Sequence, residues 1–351
     1  MRPTRKPAIS ANLDLLRVIA VLCVFSAHLM GAFGIRDFGS LGRLGVILFF
    51  VHTSFVLMSS LQRLEGSAES DWRLTVAFWC RRLFRIYPLA MLFVILVALF
   101  RIPPNPGLAY EWIGLRAFLS NLALTQNLTY SPDILSPLWS LPLEVQMYVL
   151  LPFLYFALRG GRYRSLALWA ISVVLALTVP RVSERLNVFL YGPFFTSGVV
   201  AFDLIRSKSW RWKLPAWAWP VGIAVVIALF GPHDNVNLPA KIQRAWAVSL
   251  LLGVLYANVE ETSNNVLQHV LHWIAEHSYG IYLSHIVLIW FAVDIMAESP
   301  VWARMLVLIA GSIGVPALLY VSIEKPLILA GSHVARRLMA HPAEQREPQL
   351  T

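Results

Sequence analysis

Charge is what this chain has least of. Only 14% of its 351 residues are charged against 58% hydrophobic, with a mean hydropathy of +0.63. That leaves too little polar surface to keep a chain of this length soluble in water. Cysteine is nearly absent as well. Cys23 and Cys80 are too few for a disulfide framework, and Cys23 lies in an apolar run, where a thiol packs as a small hydrophobe. No polar stretch is long enough for a separate soluble domain, since the longest, about residues 325–351, cannot bury a core and ends in a Pro- and Glu-rich tail. Repeats of fixed period are missing. So are metal-ligand spacings: in "HVLHWIAEH" the residues His269, His272 and His277 are not joined by the His and carboxylate pattern of a known site, and no metal is expected. These absences leave an integral membrane protein.

What is there agrees. Apolar runs at about 13–34, 41–61, 86–101, 143–158, 165–180, 187–205, 215–231, 243–259, 278–297 and 302–323 predict an all-α membrane protein of about ten transmembrane helices, within nine to eleven. The segment "WIGLRAFLSNLAL" reads as a re-entrant or interfacial helix. Thirteen Trp, nineteen Phe and eleven Tyr suit the boundary between hydrocarbon and headgroups. The net charge of +10 comes from short basic runs between apolar segments, which is a topology signal and excludes nucleic acid as a partner. With the N-terminus inside, 19 of the 29 Lys and Arg fall in inner segments and 9 in outer ones, so both termini are expected in the cytoplasm. A cleaved leader is the competing reading of residues 1–34, but its apolar core would be too long and is interrupted by Arg17. The expected organisation is a cytoplasmic segment 1–12, a membrane domain 13–326 and a disordered cytoplasmic tail 327–351.

Ionisable residues inside spans are costly unless paired or turned to a cavity, so each is a candidate for function. In "LDLLRVIAVLCVFSAH" eleven helical steps separate Arg17 from His28, which puts them about 16 Å apart along the axis and nearly on one face. Asp14, three residues before Arg17, is placed to pair with it. The bland alternative is a snorkelling Arg and a satisfied core His. In "RRLFRIYPL", Arg82 and Arg85 lie one turn apart and can converge on one anion, although topology alone would also put a basic run there. In "SPLWSLPLEVQMYVLLP", Glu144 has Trp139, Ser140 and Tyr148 close by. Its expected depth matches that of His28, where a carboxylate would orient the imidazole and raise its basicity. A carboxylate at a helix N-terminus is otherwise only a favourable partner for the helix dipole. In "HSYGIYLSHIVLIW", Tyr282 and His285 share a face.

Together these strings resemble the membrane-bound acyltransferase family 3. "LDLLRVIAVLCVFSAH" matches its Arg, ten residues, His opening, "RRLFRIYP" its paired-Arg motif, "PLWSLPLEVQMY" its Trp-Ser-Leu-x-x-Glu signature, "SYGIYLSH" its Tyr-Leu-x-His element and "IEKP" its closing motif, over about residues 12–326. The resemblance implies a multi-pass enzyme of the bacterial inner membrane. Such an enzyme moves an acyl group, usually acetyl from acetyl-CoA, onto a hydroxyl of a glycan or glycosylated acceptor. It implies His28 as the catalytic residue and Arg17, Arg82 and Arg85 as required for activity. One departure stands out: relatives often read Phe-Phe-x-x-Ser-Gly-Phe where this chain has "FFVHTSFVL", with His52, Thr53 and Ser54 in the glycine neighbourhood. The rival class is a transporter or flippase of a glycan or lipid intermediate, for which buried Arg, His and Glu serve equally well. A non-catalytic sensor with the same fold is the third. The acceptor, the acyl chain length and the oligomeric state have no signal in the sequence.

Overall fold

The computed structural model describes residues 10–34, 39–161, 163–207, 213–230 and 239–339. Its helices are α1 (Ala11–Ala32), α2 (Gly39–Glu65), α3 (Asp71–Phe100), α4 (Leu115–Leu122), α5 (Gln126–Thr129), α6 (Leu141–Ala157), α7 (Arg164–Val182), α8 (Val188–Ser207), α9 (Ala218–Phe230), α10 (Pro239–Ala257), α11 (Asn265–Trp290), α12 (Val301–Leu319) and α13 (Lys325–Met339). Between the long helices run short 3-10 turns and two π turns, Phe291–Ile295 and Tyr320–Glu324. Each of the ten apolar runs coincides with a helix. Among the described residues eight helical stretches are long and apolar enough to cross a membrane, and α9 is apolar but shorter. Segment α4 is one of the short helices, well under the length a span requires.

Local signals explain the starts. Ser10 caps α1 by accepting from the Leu13 amide at 3.2 Å, and Ser70 caps α3 through the Arg73 amide at 3.3 Å. Helix α2 lies in the centre with α8 at its flank, both largely buried, while α7 and α12 turn most of their side chains outward, as a lipid-facing helix must. The central helices touch through small residues. A Cβ on Gly45 of α2 would fall 2.5 Å from the Ala20 carbonyl of α1. One on Gly198 of α8 would fall 2.2 Å from the Val51 carbonyl of α2. The backbones therefore approach as closely as glycine permits, which is how helices associate where no hydrophobic effect drives them together. Gly198 also resolves the departure in "FFVHTSFVL": Ser54 turns its hydroxyl back onto Phe50 O and Val51 O, and the glycine of that crossing stands on the partner helix.

The expected tail differs. Residues 325–339 form α13, which packs along α3 with Gly331, Ala335 and Met339 buried, because its apolar side recurs at helical spacing and the basic side with Arg336 and Arg337 faces out. Residues 340–351 and 1–9 lie outside the described residues.

Candidate active site

Three spaces, arranged in file, run through the bundle between α1, α2, α6 and α11. The first is a cavity of about 470 Å³ at the end where α1 finishes, lined by His28, Arg43, Asn105, Ser136, Trp139 and Tyr282 among others. The second is a constriction of about 20 Å³, walled by Phe49, Ser140, Glu144, Tyr279 and Tyr282. The third is a cavity of about 70 Å³ lined by Arg17, His52, Arg82, Arg85, Glu144, Tyr148 and Tyr279. Tyr282 is common to the first two, and Phe49, Glu144 and Tyr279 to the second and third.

In the arginine cavity, three guanidiniums face two carboxylates. Arg85 Nη1 lies 3.4 Å from Glu324 Oε2, a contact aligned too poorly for a hydrogen bond, so both Glu324 oxygens remain without one. The π turn at Tyr320–Glu324 is what delivers this buried carboxylate inward. Glu144 Oε1 accepts from the Tyr148 hydroxyl at 2.5 Å. Arg17 sits over the Phe49 ring at 5.5 Å and Arg82 over Phe78 at 5.9 Å. The Nε atoms of Arg17 and Arg82 and Nδ1 of His52 are buried without a partner. Unpaired guanidinium donors around a small space suit an incoming oxyanion such as a phosphate.

At the His28 cavity the side chains are arranged for proton handling. The Tyr282 hydroxyl donates to Pro137 O at 2.5 Å and pairs with Ser140 Oγ at 2.8 Å, which closes the constriction. His285 Nδ1 lies 2.6 Å from Tyr282 O. A carbonyl only accepts, so Nδ1 carries the proton and Nε2 is left as an acceptor. That Nε2 is buried with no partner, and the His285 ring centroid is 5.1 Å from that of His28. Before the 3-10 turn Ser136–Ser140, outside the spans, burial pushes the Asp133 carboxyl up to about 6 although Gln126 pulls it down.

A family model described as an acyltransferase domain matches residues 10–321. The chain belongs to the acyltransferase 3 family. This acyltransferase is 25% identical to the acyltransferase MdmB of Streptomyces mycarofaciens over 403 aligned positions, covering 100% of this chain and 99% of that one. It is 24% identical to the peptidoglycan O-acetyltransferase OatA of Listeria monocytogenes over 361 positions, covering 90% of this chain and 55% of OatA. No solved structure matches it.

Within the acyltransferase, Arg17 and His28 open onto the same file of spaces, Arg17 at one end and His28 at the other. Two expected partnerships differ. Asp14 pairs with Nδ1 of His272 at 3.0 Å, because the first turn of α1 faces α11 while Arg17 turns into the cavity. Glu144 stands with the arginines and not in the His28 cavity. The 3-10 turn Ser136–Ser140, carrying Pro137, enters the bundle before α6 begins, so the first turn of α6 already reaches arginine depth. The group set against His28 is His285. Trp139 lines the His28 cavity, Ser140 the constriction and Tyr148 the arginine cavity. Of the remaining histidines, His277 Nδ1 donates to Trp273 O at 2.7 Å. Sequence reasoning passed over Arg43, which counted only as an outer positive charge, and His52, which counted only as a departure. The signal for both was an ionisable side chain inside the second apolar run.

Proposed function

We propose that this acyltransferase moves an acyl group, acetyl by preference, from acyl-CoA to a glycan hydroxyl across the bacterial inner membrane. The observation that supports it is the file of spaces with shared walls joining a cluster of unsaturated arginines to a histidine in a sugar-sized cavity. With both termini in the cytoplasm, Arg17, Arg82 and Arg85 hold donor phosphates at the inner end, and the thin acylated arm of the donor passes the constriction when the Tyr282–Ser140 contact opens.

Chemistry follows at His28. In this scheme the His28 ring turns one N–H toward the unpartnered Nε2 of His285, which leaves the other His28 nitrogen as the base that takes the proton from the acceptor hydroxyl. The alkoxide attacks the thioester carbonyl, the C–S bond breaks, and the departing thiolate recovers the proton from His28. Glu144 has no part in orienting His28 in this scheme; with Glu324 it offsets the arginine charge before the donor arrives. The acceptor enters from the outer side and is a polysaccharide, lipopolysaccharide or other glycan, a class consistent with the acceptor in the name of OatA.

Purified protein in nanodiscs, given radiolabelled acetyl-CoA and a glycan acceptor, should form labelled glycan, and His28→Gln should lower the rate by roughly 10²–10⁴-fold at unchanged melting temperature. Passage of unmodified glycan without label transfer overturns the proposal in favour of transport.

A further inference from the structure

We propose that the sugar receiving the acyl group carries an anionic substituent, a carboxylate or a phosphate ester, which Arg43 holds beside His28. This rests on the acyl-transfer reading above and narrows its acceptor class.

Arg43 stands in the second turn of α2 and lines the His28 cavity. Among the described residues it is the one permanent cation of the lining, and no described Asp or Glu lines that cavity. Among the described residues Arg43 has no carboxylate partner: its guanidinium stacks over Trp139 at 5.4 Å, and Nη1 reaches the Tyr191 hydroxyl only at 3.4 Å. Asp294, which meets the loop that carries Asn105 and Leu108, accepts from the Gly107 amide at 2.9 Å. A guanidinium fixed by ring stacking, with most of its five donors unspent at the wall of a partly enclosed cavity, is a preorganised fork for a planar or tetrahedral oxyanion.

The donor does not meet this requirement, because its phosphates match the three-arginine cluster beyond the constriction. The anion at Arg43 therefore comes from the acceptor. Asn105 and Ser136 supply neutral polar contacts on the same wall, suited to sugar hydroxyls. At about 470 Å³ the cavity admits a substituted monosaccharide with the acylated hydroxyl turned to His28. A neutral sugar would leave the cation without a counter-charge on displacing water, which costs affinity.

The test uses the full-length protein in nanodiscs, acetyl-CoA, and three acceptor probes: methyl glucoside, methyl glucuronide and glucose 1-phosphate. The expected result is a kcat/KM at least tenfold higher for one or both charged probes than for methyl glucoside, and the difference between carboxylate and phosphate identifies the substituent. Arg43→Gln should bring that ratio to within about twofold of unity, while Arg43→Lys retains part of it. Melting temperatures of both variants show that they are folded. Equal use of charged and neutral probes overturns the proposal, as does a ratio that Arg43→Gln leaves unchanged because all three rates fall together, which would place Arg43 at the reacting carbonyl. If no probe is labelled by a protein that also fails on every other glycan offered, the acyl-transfer reading fails and this inference with it.

Discussion

The imidazole of His285 is locked by its own helix: Nδ1 donates to the Tyr282 carbonyl at 2.6 Å, Nε2 is buried without a partner, and the ring centroid lies 5.1 Å from that of His28. Two neutral imidazoles can share one hydrogen bond in one direction only, so the tautomer of the first dictates that of the second. In the proposed mechanism His285 acts through His28 as a positioning residue. Replacing it by Phe keeps the ring and removes the acceptor, and should lower kcat by roughly 10²-fold with both KM values nearly constant. The acidic limb of the pH–rate profile, set by protonation of the base His28, should move in parallel, and His285→Gln should recover part of the rate. An unchanged profile in the Phe variant would show that the ring only fills space.

Arg82 and Arg85 answer to a different measurement. Changing either to Gln removes a donor from the arginine cavity and should raise the donor KM by about tenfold, around 1.4 kcal/mol, with acceptor KM unaffected. Arg85→Gln also leaves the buried Glu324 without its cation, so this variant should melt lower than Arg82→Gln. Equal acyl-CoA affinity in wild type and both variants would restrict the two arginines to a structural or topological part.

Gly198 tests the packing. An alanine there has its Cβ 2.2 Å from Val51 O and 2.1 Å from Ser54 Oγ, so α2 and α8 must separate. A loss of about 1–3 kcal/mol is expected, read as a lower melting temperature in detergent. Gly31→Ala, with open space around the added methyl, serves as the neutral control.

Asp133 gives a pH signature. Burial pushes its carboxyl up to about 6 from the ordinary 3.8, so the folded state holds the proton more tightly than the unfolded one. The corresponding stability is complete below about pH 4 and disappears as the pH rises through about 6. Thermal unfolding followed from pH 4.5 to 7 should show this decline, and Asp133→Asn, which stays neutral throughout, should flatten it.

How much of this could be foreseen differs by residue. The ten apolar runs coincide with helices, although only eight helical stretches among the described residues are long and apolar enough to cross a membrane; there, burial of backbone polar groups in hydrocarbon leaves few alternatives. Arg17 and His28 were legible as a pair, since a helix converts eleven residues into a common face. Arg82 and Arg85, one turn apart, were legible for the same reason. Glu144 was not: its depth depends on a 3-10 turn bent into the bundle by Pro137, and a hydropathy profile has no coordinate for that bend. Asp14 was given to Arg17 because they are near in sequence, whereas His272 is nearer in space.

The sequence by itself determined that this chain is a multi-helix membrane protein, which side chains are too polar to face lipid, and, through its ordered motifs, its acyltransferase family. Tertiary structure decided how those side chains associate: His285 and not Glu144 beside His28, Glu324 beside Arg85, and Arg43 among neutral described groups in the His28 cavity. The reason is physical. Helical periodicity fixes which residues share a face, but contact between faces of different helices depends on close crossings such as Gly45 of α2 against α1 and Gly198 of α8 against α2, and on π and 3-10 turns that rotate a side chain by part of a turn.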